Sequence, residues 1–82
     1  MASRKMILDR LFDYLRPLAG PGVEVTQDTD LVATLGLDSN KVLDLLLDLE
    51  DDFDVLVPME ALVDVQTVGE LANVILSRIG KD

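Results

Sequence analysis

The chain has 82 residues, a length that suits one domain, and an apolar content of 49% that argues against disorder. Its formal charge of −9, from sixteen acids against seven bases, disfavours nucleic acid and anionic membrane and favours encounter with basic protein surfaces. Cys and His are both absent, which excludes disulfides, thiolate nucleophiles, the usual transition-metal ligands and any Ser-His-Asp triad.

Residues 1–82 are expected to form a single small domain. Only 4% of the chain is aromatic, so Leu, Val, Ile and Ala must build its core. Acidity of this kind also serves plain solubility, and charge alone does not separate that reading from a docking surface. The first apolar run is broken by Asp9, Arg10 and Asp13, so neither a signal peptide nor a membrane span is expected, and a cytoplasmic protein is.

Residues 3 to about 16 read as the first helix. Ser3 suits the N-cap, and Ile7, Leu8, Leu11, Tyr14 and Leu15 share one face at helical spacing. Pro17, Gly20 and Pro21 end it. From Leu18 to Asp38 no period is sustained. The spacing predicts an ordered loop held by Val23, Val25, Leu31 and Leu35, with Thr29 or Asp30 capping a single helical turn over Leu31–Thr34.

The second helix is expected from Ser39 to Asp51 or Phe53. Val42, Leu45, Leu46, Leu49 and Phe53 gather on one face, while Asp44, Asp48 and Asp51 face water. Leu43 and Leu47 fit neither face. Either a neighbouring element covers them, or they form an exposed apolar strip rimmed by acids. Asp51, Asp52 and Asp54 sit at the helix end where the macrodipole disfavours negative charge. Val55–Pro58 reads as an extended loop, followed by a short third helix over Met59–Val63. Thr67 and Glu70 form a capping box for the last helix, whose apolar face is Leu71, Val74, Ile75 and Ile79 and whose C-cap signal is Gly80. The fold class is therefore all-α, a small four-helix bundle of three main helices and one short one, with a long ordered loop between the first two.

No constellation here points to an enzyme. Asp28 with Asp30, and Asp48 with Glu50 and Asp52, alternate as calcium ligands do, but the glycine and the terminal glutamate of an EF-hand loop are missing, and no metal is expected. Gly20-Pro21-Gly22 lacks a following Lys-Ser/Thr and is a turn rather than a phosphate loop. What remains is Ser39, with two meanings. Asp38 or Ser39 is what any helix start would choose as a cap. Alternatively Ser39 presents its hydroxyl for modification, with Gly36 allowing close backbone approach and the helix N-terminus favouring a phosphate ester.

Leu35-Gly36-Leu37-Asp38-Ser39, followed by Asp44, the run Glu50-Asp51-Asp52-Phe53-Asp54 and Val57-Pro58, closely resembles the acyl carrier protein family. The resemblance implies a four-helix fold and a 4′-phosphopantetheine arm on Ser39, beside Asp38 and Gly36, that carries acyl groups as thioesters. It implies a phosphopantetheinyl transferase as one partner and acyl-loading and acyl-transferring enzymes with basic docking surfaces as others, with the carrier itself a monomer. It makes Asn40, Leu43, Asp44, Leu47, Glu50 and Asp51 the docking positions. It also makes Leu45, Leu46, Leu49, Val57, Leu62, Leu71 and Ile75 the lining of an acyl cavity. The chain departs from the family pattern at Asn40, where a leucine is usual, and at Lys41, which is placed to pair with the arm's phosphate or with Asp44. The departure favours a specialised lipid or polyketide pathway, with ordinary fatty acid synthesis next. An aminoacyl or peptidyl carrier, or an acidic interaction module never modified at Ser39, are the other readings.

Overall fold

The computed structural model describes residues 3–79. They form three α-helices: α1, Arg4–Leu15; α2, Ser39–Phe53; and α3, Val68–Arg78. Two 3-10 turns, Arg16–Leu18 and Met59–Leu62, complete the helical structure. The second stands where a short helix is expected. Four residues after Pro58 close only one 3-10 turn, so the architecture is three helices and a turn. No helix among the described residues is long and apolar enough to cross a membrane.

Each helix starts as its sequence dictates. Ser3 Oγ accepts from Met6 N–H at 3.3 Å, and Ile7, Leu11 and Leu15 follow as a fully buried stripe. Thr67 Oγ1 accepts from Glu70 N–H while Glu70 Oε1 accepts from Thr67 N–H, so the capping box of α3 is complete. Val68, Leu71 and Ile75 of α3 then pack at zero exposure against the α1 stripe. Val74 and Ile79 are half-buried at the margin, and Gly80, expected to cap α3, lies outside the described residues. The backbones of α1 and α3 approach each other closely. Farther off, α2 reaches the core through the long side chains of Leu45, Leu46 and Leu49.

The segment between α1 and α2 is ordered because its polar groups are satisfied. Thr29, buried, receives Thr26 N–H on its hydroxyl at 2.8 Å. Asp30, not Thr29, caps the turns that follow, its Oδ1 accepting from Val32 and Ala33 N–H. Val25, Leu31 and Leu35 enter the core, whereas Val23 stays 40% exposed and anchors nothing. The segment then docks on the start of α3. Gln27 O accepts Gly69 N–H at 2.8 Å, Thr29 O accepts Val68 N–H at 3.1 Å, and Leu31 N–H donates to Gln66 O at 2.9 Å, around an isolated antiparallel bridge between Asp30 and Thr67. The first amides of a helix lack intrahelical partners, and here loop carbonyls supply them. Arg4 adds a second tie, donating to Asn73 Oδ1 on α3 and Gln27 Oε1 in the loop.

Candidate functional site

The site is built at the mouth of α2. Gly36 has φ of 67°, a left-handed conformation that glycine adopts without strain, and a Cβ there would meet nothing within 4 Å. Its glycine is thus favoured by backbone geometry, and the space beside it is open. Leu37, 2% exposed, plugs the core and its N–H donates to Leu31 O, which fixes where the helix begins. Asp38 is the N-cap: its backbone is extended and its Oδ1 accepts from Lys41 N–H at 2.9 Å. Ser39 is consequently the first residue inside the helix, and capping, one of its two readings, belongs to its neighbour. An aspartate cap and the dipole end of a helix of this length leave a polar, solvated mouth.

Beside that mouth lies an apolar cleft of about 280 Å³, lined by Leu31, Val32, Leu37, Asp38, Val42, Leu62, Val63, Val65 and Leu71. Of the residues expected to line an acyl cavity, Leu62 and Leu71 line this cleft. Leu45, Leu46, Leu49, Val57 and Ile75 are buried in the core, each under a tenth exposed, and do not line this cleft. Val42, half-buried one turn from Asp38, is the residue whose helical position makes it legible as a wall.

Asn40, Leu43, Asp44, Leu47 and Asp51 lie on the solvent side of α2. Leu43 is 37% and Leu47 63% exposed, so the exposed strip is formed and, among the described residues, no neighbouring element covers it. Lys41 forms no ion pair with Asp44; the ion pairs among the described residues are Lys5–Asp9 and Arg10–Asp52. Glu50 differs from the other docking candidates. It is half-buried, and its Oε2 accepts from Val57 N–H at 3.0 Å, which ties the end of α2 to the segment that follows.

The acids at the end of α2 are likewise not all free. Asp52 Oδ2 receives Arg10 Nη2 at 2.8 Å, Arg10 Nε at 3.2 Å and Tyr14 Oη at 2.7 Å from α1. The Tyr14 hydrogen bond, followed by that of Arg10, holds the Asp52 carboxyl below its ordinary range. Reciprocally, the hydrogen bond to Asp52 raises the Tyr14 phenol above its ordinary value, with desolvation adding to it. Sequence pattern alone assigns Tyr14 to the apolar face and Asp52 to a solvated cluster. The i,i+4 spacing of Arg10 and Tyr14, which lets both reach one carboxylate, is the signal that pairs them. Asp54, next to it, ends the helix at φ of 51°.

Comparison with known proteins brings this arrangement together. A family model described as the phosphopantetheine attachment site matches residues 9–75. The chain is 35% identical over 74 residues to an acyl carrier protein of Thermobifida fusca, covering 89% of this chain and 94% of that one. It is 32% identical over 81 residues to an acyl carrier protein of Thermotoga maritima, covering 98% and 100%. Its fold matches the crystal structure of a Toxoplasma mitochondrial acyl carrier protein with a TM-score of 0.79 at 25% identity, over 98% of this chain and 94% of the other.

Proposed function

The chain belongs to the acyl carrier protein family, whose members are phosphopantetheine-bearing carriers and not enzymes, and we propose that Ser39 is where its arm is attached. The observation that carries the assignment is the division of labour at the start of α2. Asp38 takes the cap, so the serine beside it is not needed to start the helix. The surroundings fit the group. The first turn of a helix offers amides without intrahelical partners and a positive dipole end toward a phosphodiester, and Asp38 and Asn40, the flanking residues, are both exposed. When attached, the arm supplies the thiol that this cysteine-free chain lacks, while the protein provides positioning and recognition.

The remaining roles follow from the same placement. The cleft along Leu37, Val42, Leu62 and Leu71 opens beside the attachment point and accepts the apolar part of the cargo, in preference to the closed core leucines. Leu43, Asp44, Leu47 and Asp51 form the docking strip for a phosphopantetheinyl transferase and for acyl-loading and acyl-transferring enzymes with basic surfaces. Glu50 serves the shape of that strip through its bond to Val57. Residues 1–82 act as one domain and as a monomer in the cytoplasm. Asn40 and Lys41, directly after the attachment point, favour partners of a specialised lipid or polyketide pathway over the general fatty acid enzymes.

Intact-mass measurement after incubation with a phosphopantetheinyl transferase and coenzyme A tests the attachment. The wild type gains one phosphopantetheine and Ser39→Ala gains none. An unmodified wild type under conditions that load a control carrier, or a mass gain that persists in Ser39→Ala, overturns the assignment.

A further inference from the structure

The largest exposed apolar side chain near the docking strip does not belong to α2 at all. Leu56 is 80% exposed, in an extended segment whose neighbours Val55 and Val57 are 5% and 8% exposed. Alternation in an extended chain turns the middle residue outward when both neighbours point in. The segment is also held. Val55 N–H donates to Glu50 O at 3.2 Å and Val57 N–H to Glu50 Oε2 at 3.0 Å. Leu56 is therefore displayed on a fixed backbone.

Those two bonds also say where it is displayed. Successive helical residues turn by about 100°, which places Leu43, Leu47 and Glu50 within about 60° of one another on a single stripe. Glu50 ends that stripe about one turn beyond Leu47 and holds both Val55 and Val57, so Leu56 between them is tethered at the end of the stripe. Leu43, Leu47 and the tethered Leu56 thus lie progressively farther from Ser39, with the exposed carboxylates of Asp44, Asp48 and Asp51 along one edge of the helical stripe and that of Asp54 at its end.

We infer that Leu56 is a specificity-determining docking residue, and that the partner surface seated here is a basic enzyme surface carrying an apolar socket for it. This rests on the reading of α2 as the docking helix. Charge complementarity selects the occupant. A patch bordered by carboxylates on a chain of net charge −9 repels a second copy of itself and attracts lysine- and arginine-rich surfaces. An apolar anchor surrounded by a charged rim is also how energetic weight is usually distributed in such contacts.

The test uses the full chain, a phosphopantetheinyl transferase and coenzyme A, with loading followed by intact mass. Leu56→Ala raises KM for the carrier roughly five- to tenfold with kcat little changed, and leaves the thermal midpoint where it was. If Leu47→Ala and Asp44→Lys raise KM while Leu56→Ala does not, the inference is wrong and the docking helix stands. If none of the three moves KM, the docking reading itself fails. A thermal midpoint that falls in Leu56→Ala would make the residue a packing element. A Leu56-dependent dimer in sedimentation would make the occupant another copy of this chain. Either result overturns the proposal.

Discussion

Arg10 and Asp52 meet at 2.8 Å across 42 positions of sequence, and the same carboxylate oxygen receives the Tyr14 hydroxyl at 2.7 Å. This is the polar fastening between α1 and the far end of α2. Because the folded-state pKa of Asp52 lies below its unfolded value, its contribution is complete above about pH 4 and is lost as the pH falls through the lowered value. Tyr14 works in the opposite direction: its pKa is raised, so its contribution holds below about pH 10 and is lost above it. Asp52→Asn should lower the thermal midpoint by a few degrees at neutral pH, and the difference from wild type should close below pH 4. Tyr14 is the sole tyrosine and Trp is absent, so phenolate absorbance reports it alone. That titration should move to lower pH in Asp52→Asn.

The adjacent residues Asp38 and Ser39 should separate cleanly by mutation. Asp38→Ala removes the side chain that accepts Lys41 N–H and should destabilise by about 1 kcal/mol, whereas Asp38→Asn, which caps equally well, should not. Ser39→Ala should leave denaturant midpoints close to wild type. A large loss of stability in Ser39→Ala would show that capping is shared between them.

At the other end of α2, Asp54 holds a left-handed backbone at φ of 51° and places an acid at the negative end of the helix dipole. Glycine relieves both. Asp54→Gly should stabilise by about 0.5–1 kcal/mol in urea titrations, the greater chain entropy of the unfolded state being the smaller opposing effect.

Gly69 presents the reverse case. Alanine normally gains nearly 1 kcal/mol over glycine inside a helix. Here a Cβ would stand 3.1 Å from Gln27 O and 3.3 Å from Arg4 Nη2, and Gln27 O is already bonded to Gly69 N–H at 2.8 Å. Backbone that must both accept the amide and retreat from the methyl cannot do both. Gly69→Ala should therefore destabilise, by roughly 1 kcal/mol or more, as measured by thermal unfolding.

The helices were legible in the sequence because their signals are local. Ser3 before a 3.6-residue stripe, and Thr67 three residues before Glu70, each specify a start without reference to the rest of the chain. The mouth of α2 was legible for the same reason, but the choice of cap between Asp38 and Ser39 was not, and Asp38 Oδ1 on Lys41 N–H decides it. What escaped the pattern was set by long-range pairing. Tyr14 and Asp52 look like core and surface until α1 and α2 are laid side by side. Met59–Leu62 has helical residues but too few before Asp64 to complete more than one 3-10 turn.

The Asp30–Thr67 bridge has a topological consequence. It clamps together the two ends of residues 31–66, so that α2 and the cleft form a handle closed at its base against the α1–α3 grip and fastened a second time where Asp52 meets Arg10 and Tyr14. A handle fastened at its base can loosen without unzipping the grip, as local unfolding in cooperative units allows. Amide hydrogen exchange should accordingly be slower in α1 and α3 than in α2. A chain built this way can reshape α2 and the cleft while the pair of helices behind them keeps the fold.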